Sequence, residues 1–327
     1  MQLKKFSTCY LNIQVLNFFP VLFIEMKFEV CCLIVFLFCI GAHGRGRVRR
    51  DCACGEANIK NVGRIVNGKT TSKNKYPWMA AMFLDTTFMC GGAIISDRNI
   101  LTAGHCYYYI PNPLQSYWVL GMHDQQYRDG RHYNIVDYAM HPYFRNFTIY
   151  DDYDMTIVAT KEKIVFNYAV SPICFNQPRD QYVGMRAIVA GWGRLNDTTE
   201  IMGTQLQETK VRVKPPDQCI VEVARLVRFN TKSMICAHEK GTDSCNGDSG
   251  GPLFLETHPN RYEMIAVVSF GDGCARNFPG IYSKTSDPVT QKWIKEYIVM
   301  SNADICRDPA GKITDEFFDD AFEEFYS

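Results

Sequence analysis

The chain has 327 residues with 35 basic and 35 acidic side chains, and 46% of it is apolar. That length accommodates one large or two medium domains, and the apolar content supports a sizeable packed core. The balanced charge gives no sign of a nucleic-acid binder.

The first feature in chain order is an apolar leader. Val30 to Ala42 runs for about a dozen apolar residues, too short for a comfortable membrane span and of the size of a signal-peptide core. Lys27 supplies a basic flank, and Ala42-His43-Gly44 offers small residues for cleavage. Residues 1–44 are therefore read as a signal peptide that sends the chain to the extracellular space, with Met26 as an alternative start. A signal anchor is the competing reading. Against it, Arg45, Arg47, Arg49 and Arg50 would fall on the wrong side of a membrane, so no stable membrane span is expected. Of the fourteen cysteines, Cys9, Cys31, Cys32 and Cys39 belong to the leader and leave ten, an even number that suits disulfides in an oxidising compartment. Residues 45–64 read as a pro-segment, in which Arg47-Val48-Arg49-Arg50 is equally a furin-type processing site or a solvated basic linker.

From residue 65 onward short strand-like runs follow one another, among them Tyr76–Phe83 and Gly92–Ile95, without long helical periodicity. This predicts an all-β barrel architecture. One substantial helix is predicted, over Asp287–Met300, with Trp293, Ile294, Tyr297 and Ile298 on a core-packing stripe. Between these elements lie three motifs with chemical content. His105 sits in Thr102-Ala103-Gly104-His105-Cys106, Asp154 in Asp151-Asp152-Tyr153-Asp154, and Ser249 in Gly247-Asp248-Ser249-Gly250-Gly251-Pro252. A serine hydroxyl is a poor nucleophile alone. One held in a glycine-rich turn, where backbone N–H groups converge on a developing oxyanion, is different if a base and an orienting acid join it.

The order His, Asp, Ser, with these motifs around the histidine and the serine, resembles the chymotrypsin and trypsin family of serine endopeptidases from Ile65 to about Met300. The resemblance implies two six-stranded antiparallel β-barrels with a C-terminal helix and the site in the cleft between them. It makes Ser249 the nucleophile, His105 the general base and acid, and Asp154 the group that fixes the imidazole tautomer. The N–H groups of Gly247 and Ser249 would form the oxyanion hole, and Ser269 would hydrogen-bond the triad aspartate. Asp243 would lie at the base of a pocket for Arg or Lys, with Gly271 and Gly280 as its open walls. Cleavage between Arg64 and Ile65 would free an ammonium that pairs with Asp248 and switches a zymogen on. The family pattern also pairs Cys90 with Cys106, Cys219 with Cys236, Cys245 with Cys274, and Cys54 with Cys174; Cys52 and Cys306 are left to pair with each other. Cys52-Ala53-Cys54 lacks a second ligand pair with suitable spacing, so no metal site is expected there.

Several departures from the family bear on function. Ala187 and Leu255 replace both halves of a bridge common in the second barrel. Met122 stands where the family's calcium loop begins with glutamate, and Pro279 where sodium-responsive relatives carry tyrosine, so neither cation, and no cofactor, is expected. Phe270 replaces a common tryptophan. Asn146 and Asn196 head glycosylation acceptors. The neighbours Asp151 and Asp152 are expected to face solvent. Residues 301–327 read as a tail; from 313 onward it holds six acidic and no basic side chains, with Phe317, Ala321, Phe322 and Phe325 on a stripe. It is read as a solvated end or, more sharply, as a docking or masking segment. The partners implied are protein or peptide substrates, an upstream activating protease and protein protease inhibitors. A second class of function stays open, a homologue without catalysis that binds partners in a cascade; the intact motif residues argue against it.

Overall fold

The computed structural model describes residues 8–9, 26–27, 47–59, 69–144, 152–175, 182–193, 203–239, 248–271 and 278–309. Residues 1–45 form a unit of their own, in which Thr8–Cys9 (β1) pairs antiparallel with Met26–Lys27 (β2). The apolar run of the expected signal peptide lies outside the described residues, and among those described no helix is long and apolar enough to cross a membrane.

The second unit, residues 46–327, is built from two closed six-stranded antiparallel barrels, as expected. In the first, β5 (Met79–Leu84), β6 (Thr87–Ile94), β7 (Asn99–Thr102), β8 (Tyr117–Leu120), β9 (Arg131–Met140) and β10 (Thr156–Thr160) close in the order β10-β7-β6-β5-β8-β9. Alternation sets the inner face: on β9, Tyr133 and Ile135 are buried while their neighbours are exposed. In the second barrel β11 (Arg186–Gly191), β12 (Gln207–Val213), β13 (Met234–His238), β14 (Pro252–His258), β15 (Arg261–Phe270) and β16 (Gly280–Lys284) run in the order β11-β14-β15-β16-β13-β12, and β11 pairs with β12 to close it. The short β4 (Lys69–Thr70) extends β12. Ala187 and Leu255, where the bridge is lost, both lie in this barrel's apolar core, so packing replaces the covalent link.

Among the described residues three α-helices accompany the barrels: α1 (His105–Tyr108), α2 (Pro216–Val223) and α3 (Pro288–Met300). The expected C-terminal helix is α3. Asp287 caps it by accepting from the N–H groups of Val289 and Thr290, and its buried face includes Trp293, Ile294, Tyr297 and Ile298. The shorter α2 was not foreseen, although Pro216 at its first turn is a helix-start signal.

The described part of the expected pro-segment and the start of the expected tail are built into the fold. Val48–Ala53 (β3) pairs in parallel with Ile305–Arg307 (β17), and Cys52–Cys306 and Cys54–Cys174 staple this junction. The buried Asp97 carboxylate holds it electrostatically. It takes Lys163 Nζ at 2.8 Å and the Asp304 N–H at 2.8 Å, and Arg49 lies 3.8 Å away. Arg49 also forms a two-point pair with Asp51. The basic run is thus part of a strand from Val48 on, with Arg47 and Arg50 exposed.

Candidate active site

The segment carrying His105 is anchored from both sides. Strand β7 ends at Thr102, and α1 begins at His105 with Cys106 and Tyr107 buried beneath it. Cys106 is bridged to Cys90 on β6. The Tyr107 hydroxyl accepts from the fully buried Trp118 indole at 3.1 Å, which satisfies that core N–H and ties α1 to β8. The side chain of His105 can therefore vary little in position.

Asp154 lies just before β10 and is 1% exposed. Its Oδ1 accepts the His105 backbone N–H at 2.8 Å, and its Oδ2 accepts His105 Nδ1 at 2.7 Å and Ser269 Oγ at 2.5 Å. Burial pushes the carboxyl pKa up. The facing His105 charge and the hydrogen bonds from His105 and Ser269 outweigh that and hold Asp154 below the ordinary value of 3.8. A carboxylate so held fixes the imidazole with Nδ1 as donor and leaves Nε2 as the basic nitrogen. Ser269, near the end of β15, brings a residue of the second barrel to the acid of the first.

Ser249 stands in the turn before β14. Its carbonyl accepts from Gly91 N–H at 2.8 Å, while the Gly91 carbonyl accepts from Thr102 Oγ1 at 2.8 Å, so the serine turn is tied to the middle of β6 and, through it, to the end of β7 beside the His105 segment. Gly250 makes the approach feasible. It has φ +79°, and a Cβ there would meet Thr102 Oγ1 at 2.2 Å and the Gly91 carbonyl at 2.5 Å. Below the turn, Asp248 Oδ1 accepts from Gly193 N–H at 3.0 Å. A Cβ on Gly191 would lie 2.2 Å from that oxygen and one on Gly193 2.7 Å from the carboxyl carbon, so these two glycines cradle the carboxylate. Sequence reading missed both, though Gly191-Trp192-Gly193 stood in plain sight.

Asp152 overturns an expectation. It is only partly exposed: its carboxylate accepts from Asn230 Nδ2 at 2.8 Å and from the Ser233 hydroxyl, joining the loop before Asp154 to the second barrel, while Asp151 lies outside the described residues. Tyr153, at φ +51°, turns the chain between them and stacks on His141 at 4.5 Å.

Of the remaining predicted residues, Gly271 follows β15 and is exposed, and Gly280 opens β16 and is buried. Cys219–Cys236 bridges α2 to β13. Arg64, Ile65, Asp243, Cys245, Gly247, Cys274, Asn146 and Asn196 lie outside the described residues. Cys90, His105 and Cys106 bring possible ligand atoms together, but both sulfurs are consumed by the disulfide. At the loop beginning with Met122, Asp129 accepts the N–H groups of His123 and Asp124 and pairs with Lys73 at 2.7 Å, so a lysine supplies the loop's positive charge.

The family described as Trypsin matches residues 65–294. The chain is 32% identical to the clotting factor G beta subunit of Tachypleus tridentatus, over 78% of this chain and 87% of that one. It is 32% identical to the serine proteinase stubble of Drosophila melanogaster over 72% of its length, and 30% identical to the suppressor of tumorigenicity 14 protein homolog of Bos taurus over 75%. It spans only 31% and 29% of those two longer proteins. Among solved structures, neuropsin, a serine protease of mouse brain, superposes with a TM-score of 0.61 at 25% identity, covering 72% of this chain and all of that one.

Proposed function

Since the chain belongs to the trypsin family of serine proteases, we propose that it is a secreted serine endopeptidase, made as a zymogen, that cuts peptide bonds after Arg or Lys. The observation that carries this reading is the buried Asp154 carboxylate, bonded at once to His105 and Ser269. In the proposed reaction Ser249 Oγ attacks the scissile carbonyl carbon while His105 Nε2 takes the hydroxyl proton. The tetrahedral oxyanion rests on the N–H groups of Gly247 and Ser249; losing one such donor typically costs about 10²–10³ in turnover. His105 then delivers its proton to the leaving amine as the C–N bond breaks. Water, deprotonated by the same nitrogen, releases the acyl group and restores the serine.

Asp243 would bind the guanidinium or ammonium of the substrate side chain, and apolar side chains would leave it without a partner. Activation would follow from cleavage after Arg64. The freed Ile65 ammonium would meet Asp248, whose carboxylate accepts the Gly193 N–H in a cradle shaped by Gly191 and Gly193. Breaking a buried pair of this kind costs about 3–5 kcal/mol, enough to leave the turn around Ser249 unformed before cleavage. The expected pro-segment would stay attached through Cys52–Cys306 and Cys54–Cys174.

The test compares wild type, Arg64→Gln and Ser249→Ala after exposure to an arginine-directed protease, assayed on a peptide library. Wild type is expected to cut after Arg and Lys, Arg64→Gln to stay whole and inert, and Ser249→Ala to be processed but inert. Full activity in either variant would refute the reading.

A further inference from the structure

The face of the second barrel that bears α2 carries a cluster of basic side chains. Residues 210–232 include six basic side chains, Lys210, Arg212, Lys214, Arg225, Arg228 and Lys232, against the acids Asp217 and Glu222. Glu222 is engaged by Lys214 at 2.7 Å, and Arg212 lies 3.8 Å from Glu239. Arg225, Arg228 and Lys232 are exposed, and no ion pair involves them among the described residues. Ile220 and Val221 on α2 are exposed too, at 48% and 76%, so apolar and cationic groups adjoin.

Beside them opens a cavity of about 250 Å³, with Tyr182, Val183, Val213, Phe229 and Met234 in its wall. Lys214 and Lys284 line it, and the exposed Arg228 and Lys232 are chain neighbours of the lining residues Phe229 and Thr231. Cavities of about 150 Å³ already accept benzene, so a phenylalanine ring fits. An apolar hollow with a cationic edge matches a peptide that alternates carboxylates and aromatic rings.

The chain itself carries such a peptide. Residues 313–327 contain Asp315, Glu316, Asp319, Asp320, Glu323 and Glu324, no basic residue, and rings at Phe317, Phe318, Phe322, Phe325 and Tyr326. They also reach. Pro309 lies beside His258 and Arg261. Ala266, five residues along β15 from Arg261, pairs with Lys284, which lines the cavity. At ~3.3 Å per residue that path is about 17 Å, whereas the 18 residues from 310 to 327 extend to about 60 Å.

We propose that the C-terminal segment 313–327 docks on this surface of its own chain, with carboxylates on Arg225, Arg228 and Lys232 and a phenylalanine ring in the cavity. An exposed patch that would otherwise attract foreign acidic partners is thereby covered until the segment is displaced. The inference does not depend on proteolytic activity.

A zero-length carbodiimide, which joins lysine amines to carboxylates in contact, tests this on the full-length protein, with the products read by mass spectrometry. Lys232 is expected to couple to a carboxylate of 313–327 within the monomer. The yield is expected to fall about tenfold in the full-length Arg225→Glu/Arg228→Glu variant, and likewise at about 0.5 M salt, where surface charge is screened. Coupling of the tail to other lysines but not Lys232, an unchanged yield in the variant, or coupling found only in covalent dimers would each overturn the proposal, the last by placing the segment on a second copy.

Discussion

Ser269 Oγ donates to Asp154 Oδ2 at 2.5 Å although the two residues are 115 apart in sequence and lie on different barrels. The same oxygen receives His105 Nδ1 at 2.7 Å. Removing the hydroxyl by Ser269→Ala leaves a buried anion short of one donor, and a hydrogen bond to a charged group contributes about 1.5–3 kcal/mol. On the proposed mechanism kcat/KM is expected to fall about tenfold or more.

The same substitution carries a pH signature. Asp154 titrates below 3.8 in the folded chain, so its contribution to stability is complete above that value and is lost as pH falls through the depressed folded value. Ser269→Ala should raise the folded value and narrow that window, moving acid unfolding of the variant to higher pH. Circular dichroism during acid titration measures it; coincident curves for variant and wild type would contradict the assigned hydrogen bond.

Asp152 links the loop preceding Asp154 to Asn230 and Ser233 on the second barrel. Asp152→Ala strands the Ser233 hydroxyl, which belongs to a residue with 0% exposure, and a buried group left unpaired costs about 1–3 kcal/mol. At about 2–4 °C per kcal/mol for a domain of this size, a calorimetric Tm several degrees lower is expected. The double variant Asp152→Ala/Ser233→Ala should lose less than the sum of the single losses. Strict additivity would show that the two side chains do not interact.

His141 offers a second pH test, away from the reacting groups. It is 2% exposed, its Nδ1 accepts from Tyr143 N–H at 3.2 Å, its Nε2 has no hydrogen-bond partner among the described residues, and Tyr153 and Trp293 flank the ring. Burial without an acceptor for a second proton pushes its pKa from 6.5 down to about 4. Because the unfolded chain takes up that proton first, stability should fall as pH drops from 6.5 to about 4, by up to about 3 kcal/mol. Urea unfolding across that range measures the slope, and His141→Gln should flatten it.

The sequence exposed the local parts of this architecture and hid the distant ones. His105, Asp154 and Ser249 stood out because each lies in a short motif, and α3 was legible from its 3.6-residue stripe and the Asp287-Pro288 start. The disulfides Cys90–Cys106 and Cys54–Cys174 followed from resemblance, since spacing alone fixes no connectivity. The parallel pairing of β3 with β17 joins residues some 250 positions apart, and no periodicity encodes it. Asp152 read as solvated because its partners Asn230 and Ser233 are 78 and 81 residues away and carry no motif. The role of Gly191 and Gly193 emerges only when the Asp248 carboxylate is seen between them.

The central claim is that Ser249 attacks carbonyl carbon with His105 as its base and Asp154 holding that base. It is tested most directly by mixing the Arg64-cleaved protein with a guanidinobenzoate ester, which acylates such a serine quickly and leaves it slowly. One acyl group per chain, found by mass spectrometry on Ser249 and missing from the His105→Ala and Ser249→Ala proteins, is the predicted result. A cleaved, folded protein that releases no burst of alcohol, or that carries the acyl group on another residue, would contradict it.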